Sequence, residues 1–357
     1  MSVLRLSIAV SLTVYASLAQ NQGGGFRVPF RSLPSVAVPP DPNEPITGVV
    51  QTLTEQSERS NALALMTRAR LKLQLHAQRT PSFILSATFT SSAGAGSMTE
   101  WWMNGQKWRW SATAGNGSAV RIAGDGLHYG LPQGGAIPPA VHVLRNAIFW
   151  AATSGVPDSE GSIRSSAVIW NGKPTTCLLF GSRGEDRQGA RTWDEDEFCI
   201  DDASGLLQVH SFVPGTYVQY TYTSAAYHGR SPASGIVIFS GNKKVLDAQV
   251  TITDAGSPDE SLFVPTEEMK SYGPVGVGVG PSRWFWDAPS ANVSDAAAKP
   301  MIVHASVDGQ GTVVAEELSI ASDPALVQTA LELVKAKGFP PNGNTREIYV
   351  EVRFVAQ

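Results

Sequence analysis

Apolar and polar positions alternate with a period of two through most of the middle of the chain, the pattern of strands with one face turned to a core. From Ser82, the residues Phe83, Leu85, Ala87 and Phe89 share one face, and Ser86, Thr88 and Thr90 share the other. Glu100 to Ser111 reads as a hairpin whose Asn104-Gly105 turn joins two tryptophan-rich arms. Further strand-like runs are Val120 to Tyr129, Ala167 to Phe180, Arg191 to Ile200, Leu206 to Phe212, Tyr217 to Thr223, Ile236 to Phe239 and Asp247 to Thr253. In the last of these, Ala248, Val250 and Ile252 point inward. Consecutive strands joined by tight turns predict one large antiparallel sheet.

The period changes to that of a helix in two places before the C-terminus. Thr52-Leu53-Thr54-Glu55 has the form of a capping box, and leucines and Met66 recur from Leu63 to Leu75 until Pro81 ends the run. Pro138 and Pro139 open a shorter helix carrying Val141, Leu144, Ile148 and Phe149. A sheet of this size must cover its apolar face, and these two helices are the local candidates. The last 58 residues give strand, turn, strand, helix and strand: Met301 to Val307, Asp308 to Gly311, Thr312 to Ile320, a helix capped by Asp323 and ended by Gly338, then Glu347 to Phe354. The expected fold class is α+β: a large curved antiparallel sheet (a half-barrel) with covering helices, then a small β-β-α-β domain.

Composition adds an address. Met1 to Ala19 has Arg5, a short apolar run and a Ser17-Leu18-Ala19 cleavage site, the layout of a signal peptide. A Gly/Pro-rich leader fills 20–48, the half-barrel domain spans 49–272, a Gly/Pro/Ala-rich linker spans 273–299, and the small domain spans 300–357. No run of 18 apolar residues exists, so the mature protein is expected to be soluble in the periplasm. The chain carries 27 basic and 31 acidic residues, for a net charge of −4, which excludes a polybasic partner for nucleic acid. Cys177 and Cys199 flank a turn-like Gly184 to Gly189 segment, so a hairpin would set them opposite each other as a disulfide.

Recognisable catalytic chemistry is absent from the sequence. The six histidines show no ligand spacing, no Gly-x-Ser-x-Gly elbow occurs, and neither a metal nor a cofactor is expected. Asp194-Glu195-Asp196-Glu197 with Asp201 and Asp202 is the one notable acidic cluster. Four consecutive acids on a strand point alternately to opposite faces, so a solvated hairpin edge is the expected reading.

Two resemblances follow from these elements. The long first helix, the Glu100-Trp101-Trp102 … Trp108-Arg109-Trp110 hairpin, Gly124-Asp125-Gly126, the Pro-led helix, Asp201 to Leu207 and Ser261-Leu262-Phe263-Val264-Pro265 together resemble the LolA/LolB periplasmic lipoprotein carrier family over roughly residues 50–270. That resemblance implies a half-barrel lidded by helices around an acyl-chain cavity. Where that family carries Arg followed by Pro at its first hairpin, Asn104-Gly105 stands here. The β-β-α-β order, the Asp308 to Gly311 turn, Phe339-Pro340 and Val352-Arg353-Phe354 resemble the C-terminal domain of TonB-type energy transducers. This second resemblance implies a module that binds an envelope protein partner by adding a strand to its sheet edge.

The functional expectation is a non-enzymatic periplasmic protein that holds a lipid or lipoprotein acyl chain in the half-barrel and docks a protein through the small domain. The expected pocket lining is Phe83, Leu85, Phe89, Trp101, Trp110, Leu144, Ile148, Val250 and Ile252. The expected partner-binding edge is Glu347, Tyr349, Glu351 and Arg353. Two alternatives remain open: an interaction scaffold, marked by a filled core with an exposed tryptophan patch, and an envelope hydrolase, marked by two inward carboxylates sharing a cleft. Oligomeric state is left undetermined.

Overall fold

The computed structural model describes residues 50–76, 80–131, 137–152, 161–181, 191, 195–223, 226–240, 243–274, 282–290, 300–321, 323–342 and 346–356. The signal peptide, the leader, the Gly184 to Gly189 turn and Asp194 lie outside the described residues, as do 275–281 and 291–299 of the linker.

Fourteen strands form one sheet: β1 (Gln51–Thr52), β2 (Phe83–Ser91), β3 (Gly94–Asn104), β4 (Lys107–Ala114), β5 (Gly117–Gly124), β6 (Leu127–Gly130), β7 (Ser162–Trp170), β8 (Lys173–Gly181), β9 (Asp196–Asp201), β10 (Leu207–Val213), β11 (Thr216–Thr221), β12 (Gly235–Ser240), β13 (Lys243–Asp254) and β14 (Lys270–Pro274). Two meanders, β7 to β13 and β2 to β6, join where β13 pairs antiparallel with β2 from Leu246↔Ser91 to Asp254↔Phe83. β1 and β14 are the outer strands. The Asn104-Gly105 turn forms as expected, with the Gln106 N–H donating to Asn104 Oδ1 at 2.9 Å.

A second sheet has the order β15 (Ser282–Ser290), β18 (Arg346–Ala356), β16 (Pro300–Val307), β17 (Val313–Ala321). β15 arises inside the expected linker and pairs parallel with β18 along its whole length. Among the described residues α-helices are few: α1 (Gln56–Leu73), α2 (Pro139–Phe149) and α3 (Val327–Lys337). The α+β expectation is therefore corrected, because among the described residues two sheets with 18 strands dominate and three α-helices are an accessory to them. Much of the covering expected of helices is done by the second sheet. α2 lies between them, packed on β12 and β13 on one side and on β16, β17 and β18 on the other.

Local chemistry explains most of the boundaries. α1 buries Ala62, Met66, Ala69 and Leu73, a spacing of four, three and four that keeps one stripe on the core. Its expected capping box does not form: Thr52 sits in β1 opposite Arg164, and Glu55 caps without a side-chain bond. Asp323 does cap the turn before α3, accepting from the Ala325 N–H at 3.0 Å. Gly311 has φ +87, and a Cβ there would collide with the Phe339 carbonyl, so only glycine lets the β16–β17 turn meet the strap after α3.

Cys177 and Cys199 are direct register partners on β8 and β9 and are disulfide-bonded, as the hairpin spacing requires. They cluster with Val209 and Tyr217, and cross-linking positions 22 apart stabilises by about 3 kcal/mol on the chain-entropy estimate.

Candidate functional site

The expected pocket residues converge, but they form a packed core. Phe83, Leu85, Phe89, Trp110, Leu144 and Val250 are all buried in one cluster, with Ile148 and Ile252 packed at its border. Trp101 is the exception. The inward phase of β3 runs through Met98, Glu100 and Trp102, so Trp102 takes the core position and Trp101 lies half-buried on the opposite face. The His76 ring fills the space between Trp102 and Phe149, at 5.2 and 4.3 Å, and Phe83 stacks on Trp102 at 5.2 Å. Burial and the nearby Arg145 lower the His76 pKa to about 3, so the ring packs as a neutral aromatic.

Glu100 is the charged residue at a core position of β3. Arg145 of α2 holds it through two hydrogen bonds, Nε–Oε2 at 2.8 Å and Nη2–Oε1 at 2.7 Å. The pair pins α2 onto the sheet, while burial raises the Glu100 pKa against the pull of Arg145.

The expected partner edge is not an edge. Glu347, Tyr349, Glu351 and Arg353 lie on β18, which is flanked by β15 and β16 and occupies the interior of the second sheet. β15 fills the place where a partner strand would have added. The four residues instead lie on the side of β18 away from the α3 core, which takes Ile348, Val350, Val352 and Phe354.

That side meets the large sheet along a seam. Phe212 and Val213 of β10 cluster with Ile302 of β16 and Tyr349 of β18, the Phe212 and Tyr349 rings lying 5.1 Å apart. Arg283 of β15 crosses the seam. Its Nη2 is 3.0 Å from Asp196 Oδ1, it donates to the Phe212 carbonyl, and its guanidinium stacks 3.9 Å over the Phe212 ring. Inside the seam is a cavity of about 30 Å³ bounded by Val143 and Ala147 of α2, by Trp150 just after it, and by His210, Thr216, Glu347 and Tyr349. His210 Nε2, Thr216 Oγ1 and Glu347 Oε1 are buried there without a hydrogen-bond partner among the described residues. The volume suits one or two water molecules and does not admit an acyl chain. Burial, then Arg191 and Arg283, lower the His210 pKa to about 3, so it is neutral at the seam.

The acidic run is also corrected. Glu195, Asp196 and Glu197 are all buried, and each meets a different arginine: Arg164 at 2.7 Å, Arg283 at 3.0 Å and Arg191 at 3.0 Å. Arg191 also donates to Ser211 Oγ at 2.7 Å and to the Glu195 carbonyl. The run is a buried ionic ladder, and its middle rung, Asp196, anchors the second sheet. Sequence reading missed this because the arginines come from β7, β15 and the segment before β9. The one metal-like grouping among the described residues, Cys177, Glu197 and Cys199, has both sulfurs tied in the disulfide and offers no thiolate pair.

No known family model matches the chain, and no curated protein matches it either. Among solved structures, a LolA superfamily protein from Nitrosomonas europaea is similar at a TM-score of 0.34 and 8% identity, covering 57% of this chain and 97% of that one. MucB is similar at a TM-score of 0.24 and 14% identity over 60% of this chain and 65% of its own. The Pseudomonas aeruginosa MucA/MucB complex is similar at a TM-score of 0.19 and 12% identity, covering 60% of this chain and 62% of that one. Likenesses of this degree assign neither a family nor a function. No described helix is long and apolar enough to cross a membrane.

Proposed function

We propose that this chain is a non-catalytic binding protein of the periplasm whose large sheet receives an apolar acyl ligand when the second sheet withdraws from it. The observation that carries this reading is the seam. Two apolar cores stand on either side of a contact that joins one small apolar cluster to three buried polar atoms with no partner among the described residues. The cavity between them leaves room for water in place of close packing, so the seam is a place where the two sheets can part. Opening would expose the sheet face now covered by Tyr349 and Ile302 and give α2 freedom to lift.

A filled interior supports a second reading, an envelope scaffold that binds proteins and no lipid. Native mass spectrometry of the full chain, with and without added palmitate, separates the two. In the first reading, Arg283→Ala loosens the seam and raises the palmitate-bound fraction at least about tenfold over the unaltered chain, given roughly 1.5–3 kcal/mol for the lost charged contact. Apo masses for both chains under saturating palmitate would end the acyl-ligand reading and leave the scaffold.

A further inference from the structure

A second cavity, of about 290 Å³ and open to solvent, lies where β5 and β14 of the large sheet face the β16–β17 turn and β17. Its wall carries Arg121, Lys270, Tyr272, Asp308, Gln310 and Thr312. Arg121 is the unusual member. It occupies a core-facing position of β5, in register with Trp110, and is 9% exposed. Its guanidinium lies 4.9 Å from the Trp110 ring and has neither a hydrogen-bond acceptor nor an ion-pair partner among the described residues. The neighbouring cation Arg145 is already satisfied by Glu100. Five N–H donors thus lie stacked on the Trp110 ring, nine-tenths buried, with no acceptor among the described residues.

We propose that this cavity is a binding site for an oxyanion, the carboxylate or phosphate group of a small ligand, gripped by the Arg121 fork. Lys270 adds a second positive charge at the exposed mouth. Tyr272 offers a phenolic donor, and Gln310 and Thr312 offer further polar groups from the opposite wall. Gln310 Nε2 also reaches the Ser271 carbonyl at 3.4 Å, tying that wall to β14. The one carboxylate on the wall, Asp308, accepts the Gln310 and Thr312 backbone N–H groups at 2.9 Å each, so two donors of its own turn offset part of its charge. Arg121 and Lys270 against Asp308 leave a net charge of +1, which selects an anion and rejects a divalent cation. A planar guanidinium can meet two oxygens of a carboxylate or phosphate at once, and lysine cannot.

The site is complete in the closed form, so the inference does not depend on the seam opening. It is tested by calorimetric titration of the full chain with inorganic phosphate, acetate and dodecyl phosphate. Saturable one-to-one binding is expected, weakened about tenfold or more by Arg121→Lys, which keeps the charge and loses the fork. Lys270→Ala, at an exposed position, and Tyr272→Phe should each weaken binding about threefold and carry the test if Arg121→Lys melts early. Equal affinity for inorganic and dodecyl phosphate would identify a free ion as the ligand, and strong preference for the tailed form a lipid headgroup. Absence of saturable binding of any of the three anions, or unchanged affinity in all three variants, would overturn the proposal. Palmitate also carries a carboxylate, so the palmitate experiment is repeated with Arg121→Lys: palmitate binding that persists in that variant belongs to the seam, and binding that is lost with it belongs to the Arg121 cavity.

Discussion

Arg164→Ala should lower the unfolding free energy by about 3–5 kcal/mol, measured by urea denaturation of the full chain with its disulfide intact. Arg164 and Glu195 are both fully buried, joined by Nε–Oε1 at 2.8 Å and Nη2–Oε2 at 2.7 Å. The net value of such a pair is small, because desolvating two ions offsets most of their attraction. Removing one partner is different, since the remaining carboxylate stays buried without its two-bonded guanidinium. Converting both residues to apolar side chains of similar volume, Arg164→Met with Glu195→Leu, should therefore recover most of the loss. Because Glu195 precedes Asp196, the single variant should also loosen Arg283, seen as faster hydrogen exchange over 282–288. A loss below about 1 kcal/mol would mean the pair is hydrated, and the account of the acidic run as a buried ladder would fail.

What the sequence showed and hid follows from the range of each interaction. Phe83, Leu85, Ala87 and Phe89 announced β2 because alternation is local, and Asn104-Gly105 announced its turn for the same reason. Cys177 and Cys199 paired because hairpin register carries over 22 residues. Trp101 was given the wrong face because Glu100 occupies an inward position. A carboxylate at an inward position breaks the apolar alternation that would set the phase of β3, and only Arg145, 45 residues away, reveals which phase is inward. β15 was hidden by its surroundings, since Ser282 to Ser290 contains a proline and sits within Gly- and Ala-rich sequence. Yet Trp284 and Trp286 alternate with Phe285, and both tryptophans pack towards the α3 core while Phe285 is exposed. That alternation was the available signal for the strand that turned β18 from an edge into an interior strand. The seam had no comparable signal, because Phe212, Arg283 and Tyr349 belong to segments that only the tertiary fold brings together.

Raising the pH from 6.5 to above 9 should remove about 3 kcal/mol of stability that depends on His304. The ring is fully buried between two carboxylates, with Nδ1 2.9 Å from Glu317 Oε1 and Nε2 2.6 Å from Glu347 Oε2, and it stacks on Tyr349 at 4.6 Å. Burial alone would lower its pKa, but the hydrogen bonds and charges of Glu317 and Glu347 outweigh that and lift it to about 9. A folded-state pKa above the unfolded value of about 6.5 means the protonated ring stabilises the fold in full below 6.5, and the gain disappears as pH rises through 9. The shift of roughly 2.5 units, at about 1.4 kcal/mol each, sets the size of the effect. Other groups titrate in the same range, so the measurement is the difference between the unaltered chain and His304→Gln across pH 6.5 to 9.5. That difference should shrink by about 3 kcal/mol, and an imidazole signal in the unaltered chain should titrate near 9. A signal titrating near 6.5 would show that the two carboxylates are not held against the ring. Glu347 also borders the seam cavity with its second oxygen unpartnered among the described residues, so losing the His304 proton removes the positive charge beside it and leaves one ring N–H for two carboxylates. Alkaline pH should therefore weaken the same contact that Arg283→Ala weakens, and palmitate uptake should rise with pH if the seam is the entrance.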